Sequence, residues 1–205
     1  MKHVFIEGKR KDLPTLLLLH GTGGNERDLL SLAEIIAPDA SVLGVRGNVL
    51  ENGMPRFFRR LAEGVFDIED LIFRTQELND HISDFAEQYS FNRDHVVAIG
   101  YSNGANIAAS LLYHHQNSLQ GAILFHAMVP RQHIELPSLA NVPVFIGAGK
   151  RDSLIDPEQT KELSAHLRQA GADVTEYWTE GGHQLTREEV EKAKEWFDQH
   201  YTNRK

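Results

Sequence analysis

Short runs that are apolar at every position, rather than at alternate ones, recur along this sequence. They include "TLLLLHG" (15–21), "SVLGVRG" (41–47), "HVVAIG" (95–100), "GAILFHAMVP" (121–130) and "VPVFIGAG" (142–149). A strand buried on both faces needs this pattern, whereas a strand with one wet face alternates. "DVTEYWT" (173–179) reads as a further strand, and "HVFIE" near the start is a candidate edge strand. Between the runs lie stretches with apolar residues at helical spacing: 26–37, 70–89, 103–115, 157–171 and 186–201. The fourth opens on Pro157 and closes on Gly171, the favoured positions for those residues at helix ends. Alternating strands and helices predict an α/β fold, a mostly parallel sheet with helices on both faces. The length of 205 residues fits one domain with a sizeable core. Residues 46–69 are too long for an ordinary connection, and long loops in compact domains are usually functional.

Composition narrows the chemistry. The net charge is −8, and Lys and Arg are scattered apart from one knot, "RFFRR". Nucleic-acid binding rests on neutralising phosphates, so that balance argues against it. There is no cysteine, which excludes disulfides, thiolate catalysis and cysteine-based metal sites. The start "MKHVFIEGKRKDLP" lacks the apolar core of a signal peptide, and "LLLL" is far too short to span a bilayer. The expectation is a cytoplasmic protein with no stable membrane association.

The strongest motif is "GYSNG", Gly100 to Gly104, between the strand "HVVAI" and the helix "NGANIAASLL". G-x-S-x-G in that setting is a nucleophile elbow, where a serine sits on a very tight strand-to-helix turn. Flanking glycines remove the Cβ atoms that would clash, and Ser102 Oγ then projects above the sheet. The alternative is a serine that merely caps a helix. A serine hydroxyl needs a base, and in this arrangement the acid and then the histidine follow in chain order. Asp152 in "GAGKRDSLIDP" lies just past a strand end. Its rival Asp156 directly precedes Pro157 and reads better as a helix N-cap. His183 in "EGGHQLT" follows the last strand and is the candidate base. His126, at a strand end, is the rival base but lacks an acidic partner in order. His20 is a candidate supporting group. No H-E-x-x-H or similar spacing points to zinc, so no metal is expected.

"HGTGGNE" (20–26) could cradle a phosphate or aim N–H groups at an oxyanion. No Lys follows it, and Glu26 stands where a dinucleotide loop needs its third glycine. The remaining role is the oxyanion one. The candidate donors are the backbone N–H groups of Thr22 and of Asn103, the residue after the serine.

Together "HGTGGNE", "GYSNGAN", "GAGKRD" and "GGHQLT" resemble the phospholipase/carboxylesterase branch of the α/β-hydrolases, which includes acyl-protein thioesterases. The stretch "VLENGMPRFFRRLAEGVFD" is similar to bacterial hydrolases encoded in methylhydroquinone-resistance operons. The resemblance runs from about Leu16 to Trp196. It implies an α/β-hydrolase fold with no large lid and a cofactor-free esterase acting on a small-molecule ester. It assigns Ser102 as nucleophile, Asp152 as orienter and His183 as base, with Thr22 and Asn103 at the oxyanion. Thioester and lactone hydrolysis use the same residues and stay open, as does a non-catalytic binding protein that keeps the fold. The resemblance also implies a homodimer, although no apolar stripe marks an interface. Two positions depart from the pattern. Asn103 stands where many relatives carry Gln, and "FHAMVP" replaces a Ser-Gly pair. Phe57, Phe58 and Arg59, with Met128, are the candidate pocket wall. Arg56, Arg59 or Arg60 either meet a substrate carboxylate or pair with Glu51, Glu63, Asp67 or Asp70 to pin the loop.

Overall fold

In the computed structural model, residues 1–203 are described. The strands β1 (His3–Ile6), β2 (Thr15–Leu19) and β3 (Val42–Val45) form one half of the main sheet, with helix α1 (Leu30–Ile36) crossing between β2 and β3. Residues 46–69, expected as one long functional loop, instead hold two small hairpins and the first two residues of the following helix. The first hairpin pairs β4 (Val49–Glu51) with β5 (Met54–Arg56), and the second pairs β6 (Arg60–Ala62) with β7 (Val65–Phe66). The first turns on Asn52 and Gly53, both at positive φ (51° and 79°), the conformation an Asn-Gly hairpin turn requires.

Helix α2 (Ile68–Tyr89) leads into β8 (Val96–Tyr101), and α3 (Asn103–His114) into β9 (Gly121–Phe125). β10 (Pro143–Gly149), α4 (Pro157–Gln169), β11 (Asp173–Thr179) and α5 (Arg187–Phe197) complete the order. The main sheet of the described residues has seven strands in the order β1-β3-β2-β8-β9-β10-β11. Every pairing is parallel except β1 with β3, so "HVFIE" does supply an antiparallel edge.

The doubly apolar strands feed two cores by strict alternation. Leu17, Leu19, Ala98, Leu124 and Ile146 face a core completed by α2, α3 and α4. Leu16, Leu18, Val97, Ile99, Ile123 and Phe145 face the other, closed by α1 and α5. All four leucines of β2 are buried, each contributing about 1.5–3 kcal/mol relative to exposure. That is the reason "TLLLL" behaves as a central strand rather than a helix.

Several element ends differ from the sequence pattern, three of them by four residues or more. The strand expected over 121–130 stops at Phe125, because His126 takes φ 56° and turns out of the sheet. The helix expected from residue 26 starts at Leu30. Before it, Asn25 Oδ1 accepts from Arg27 N–H and Asp28 Oδ2 from Asn25 N–H, a side-chain-built turn that competes with helix. The last helix gives way after Phe197 to a single wider turn over residues 198–202. Asp156 immediately precedes α4 and its side chain accepts from Glu158 N–H, so this acid is the N-cap. No helix among the described residues is long and apolar enough to cross a membrane.

Candidate active site

The elbow forms at the C-terminal end of the central strand β8, where open α/β sheets collect their ligands. Ser102 has φ 52° and ψ −115°, a region that a residue with a side chain occupies only under constraint. The constraint is close packing of backbone on both sides. A Cβ on Gly104 would lie 1.9 Å from Leu19 O, and one on Gly100 would lie 2.6 Å from Ala105 Cα. Ser102 N–H is tied to Phe125 O at 2.9 Å, which fixes the turn to the neighbouring strand β9.

Asp152 follows β10 and His183 follows β11. The two loops are laced together: Lys150 N–H donates to Thr179 O and Arg151 N–H to Gly181 O, each at 2.9 Å. The outcome is a continuous chain. Ser102 Oγ lies 2.9 Å from His183 Nε2, and His183 Nδ1 lies 2.8 Å from Asp152 Oδ2. Tyr101 donates its hydroxyl hydrogen to His183 O at 2.8 Å, holding the histidine's own backbone. Asp152 Oδ1 accepts from Leu154 and Ile155 N–H at 2.9 and 3.0 Å. Burial pushes the Asp152 carboxyl up, but the bonds from His183 and from these amides outweigh it and leave its pKa below the ordinary value. The acid is therefore an ionised acceptor for the imidazole.

His20 opens the Gly-rich loop over residues 20–26 and is buried. Its Nδ1–H donates to Gly21 O at 2.6 Å, its Nε2 accepts from Gly47 N–H at 3.1 Å, and its ring packs on Phe57. Burial holds its pKa below the usual imidazole value, so it serves as a neutral brace.

Thr22 and Asn103 both line the cleft beside Ser102. The last residue of the first hairpin and the residue after it hold one each. Arg56 Nη1 donates to Thr22 Oγ1 at 2.6 Å, and Phe57 N–H donates to Asn103 Oδ1 at 2.7 Å. Asn103 thus uses its side chain to anchor the stretch following β5. Sequence reasoning missed both links, because neither has a local spacing.

The cleft has a volume of about 390 Å³. Met128 lines it, with Phe66, Leu154 and Ile155 as further apolar wall and Arg56, Arg60 and Glu63 as charged wall. Phe57, Phe58 and Arg59 are not part of that wall. Phe57 and Phe58 are fully buried in the core under the hairpins, Phe58 edge-on to Phe66. Arg59 points to solvent and pairs with Asp67 at 3.2 Å. Arg56 and Arg60 share Glu51, at 3.5 and 2.9 Å. The ion pairs expected of the arginine knot are therefore present and pin the hairpins, and Arg56 and Arg60 also line the cleft.

His126, the rival base, does have acidic partners. Its Nδ1 lies 3.2 Å from Asp152 Oδ2 and its Nε2 2.9 Å from Glu189 Oε1. Among the described residues, His126, Asp152 and His183 are also the group whose ligand atoms, all within 4.8 Å, are close enough for a metal. A cation there would displace both imidazole bonds to Asp152 Oδ2.

The dienelactone hydrolase family model matches residues 62–202, more than half of the chain. The chain belongs to the dienelactone hydrolase family. It is 60% identical over 197 residues to the protein MhqD of Bacillus subtilis (strain 168), covering 96% of this chain and 98% of that one. The crystal structure of the Bacillus cereus carboxylesterase superposes with a TM-score of 0.96 at 62% identity, over 97% of this chain and 94% of that one. The structure of YahD with malic acid follows at 0.93 and 36%, over 97% and 98%. The fold is that of the α/β-hydrolases, and the chain is a carboxylesterase-like hydrolase.

Proposed function

We propose that this member of the family is a serine hydrolase of small carboxylic esters, working through an acyl-enzyme on Ser102. The observation that carries the reading is the unbroken chain from Ser102 Oγ through His183 to Asp152, with contacts of 2.9 and 2.8 Å. Ser102 Oγ attacks the ester carbonyl as its proton passes to His183 Nε2. The imidazolium that forms keeps its Nδ1–H on ionised Asp152. The oxyanion takes the backbone N–H groups of Thr22 and Asn103, and each such donor is worth about 2.7–4 kcal/mol in the transition state. Collapse expels the alcohol, which leaves with the proton held by His183. Water, deprotonated by His183, then attacks the acyl-serine and releases the acid.

The cleft is at the small end of the range for ligand sites, which favours compact substrates. YahD was solved with malic acid, a small dicarboxylic acid. On this chain Arg56 and Arg60 are the cations that such a carboxylate would meet.

A second reading is ring-ester hydrolysis. The dienelactone hydrolase match favours it, and the same steps open a lactone to a hydroxy acid. A panel of p-nitrophenyl acetate, its matched thioester, a five-membered lactone and a mono-ester of a dicarboxylic acid separates the cases. Turnover of the oxoesters above the thioester is expected, with the mono-ester preferred. Turnover of the lactone alone would replace the first reading with the second. A folded protein inert to the whole panel would sink both.

A further inference from the structure

His126 stands outside the proposed Ser102–His183–Asp152 chain, yet the molecule is built to hold it there. Its side chain is completely buried, and so is that of Glu189. Its backbone sits at φ 56°, a conformation that costs a side-chain-bearing residue free energy and persists only where the surroundings enforce it. His126 N–H is bonded to Gly147 O at 2.8 Å. Gly147 in turn leaves room for the acid: a Cβ there would stand 3.2 Å from Glu189 Oε1. Glu189 is the N3 residue of the α5 capping box, and its other oxygen accepts from Thr186 N–H and Oγ1–H. Helix α5 thereby delivers a carboxylate to the far side of His126.

Proton placement follows from these contacts. Asp152 is ionised and already accepts from His183 Nδ1–H, so His126 Nδ1 must carry a hydrogen to approach the same oxygen at 3.2 Å. His126 Nε2 then faces Glu189 Oε1 at 2.9 Å, off the line of a well-formed hydrogen bond, and neither atom has another hydrogen-bond partner. Two bare lone pairs would repel at that separation in a buried site. One proton must therefore lie between the two groups.

We infer that His126 is a positioning residue: it donates a second hydrogen bond to Asp152 Oδ2 while Glu189 anchors its far nitrogen, so the orienting acid is gripped from two sides. The array runs Ser102–His183–Asp152–His126–Glu189. The inference rests on the proposed serine mechanism for its kinetic consequence, though not for its geometry.

His126→Ala removes the donor, and His126→Asn keeps a donor at the δ position in a residue that tolerates positive φ. With p-nitrophenyl acetate, His126→Ala is expected to lower kcat by about 10- to 100-fold with KM within about two-fold, the size of effect that loss of ligand-orienting partners produces elsewhere. His126→Asn should recover most of kcat. A folded His126→Ala protein with unchanged kcat, or an Asn variant as impaired as the Ala one, overturns the proposal. Should His126→Ala fail to fold, the wild-type chain still decides. With 15N-labelled histidine, hydrogen-bonded imidazole Nδ1–H resonances are expected from both His183 and His126, each assigned by its loss in a variant with that one histidine replaced and distinct from that of His20, and absence of the His126 signal overturns the proposal. If the wild type neither hydrolyses esters nor labels with phosphonates, the proposed mechanism fails, while the two resonances still report on the double grip.

Discussion

His183→Ala lowers kcat on a small ester by about 10⁴- to 10⁶-fold while KM stays within a few-fold, the expected signature of a base used only in the transition state. The geometry sets that size. His183 Nε2 is 2.9 Å from Ser102 Oγ, and removing it leaves a hydroxyl with no acceptor for its proton. The rival His126 cannot substitute, since its nitrogens face Asp152 and Glu189. Residual rate would come from substrate binding and the oxyanion donors alone. The fold should survive, because His183 lies on a loop and Asp152 keeps its bonds from Leu154 and Ile155 N–H. Steady-state kinetics with a melting curve checks both halves. A loss below about ten-fold in a folded variant would mean that another group takes the proton.

Gly104→Ala is the substitution expected to harm the fold most. The new Cβ would meet Leu19 O at 1.9 Å, Leu19 C at 2.4 Å and His20 O at 2.6 Å, all backbone atoms. Side-chain rotation cannot relieve a clash with backbone, so α3 must move away from β2. A cost of about 3 kcal/mol or more is expected, at the upper end for overpacking. In a chain of this size that corresponds to a fall in Tm of roughly 6–12 °C. The loop proposed to carry an oxyanion donor starts at His20, so activity should fall further than stability alone predicts. Gly53→Ala is the matched control: its Cβ would meet nothing within 4 Å, and only its φ of 79° is strained. That variant should lose about 1 kcal/mol and keep full activity. An unchanged Tm for Gly104→Ala would contradict the packing of the elbow described above.

The parts legible in the sequence share a physical reason. "TLLLL", "HVVAIG" and "VPVFIGAG" are buried on both faces, so their apolar runs are continuous and unmistakable. The elbow glycines are demanded by backbone contact, a local requirement that leaves a local motif. Asp156 was separable from Asp152 because a cap before Pro157 has its own signature.

What stayed hidden depends on long-range contact. Phe57 and Phe58 read as a pocket wall because they lie in a loop-like stretch near charged residues. The hairpin folds them inward, and Phe66 takes the wall position instead. One signal for that hairpin was present: "ENGM" contains Asn-Gly, the turn pair for a two-residue hairpin loop. The Thr186-to-Glu189 capping box was likewise visible, yet nothing in a helix sequence says that its acid also reaches a histidine after β9. The grips of Arg56 on Thr22 and Phe57 on Asn103 span 34 and 46 residues, beyond any periodic pattern.

The central claim is that Ser102 is the nucleophile, and covalent trapping addresses it most directly. The wild-type chain treated with a fluorophosphonate should gain one adduct by intact mass, and peptide mapping should put that adduct on Ser102 with hydrolysis lost in step. Ser102→Ala should gain none. An adduct on any other residue, or a Ser102→Ala protein that still labels and still hydrolyses, would contradict the account.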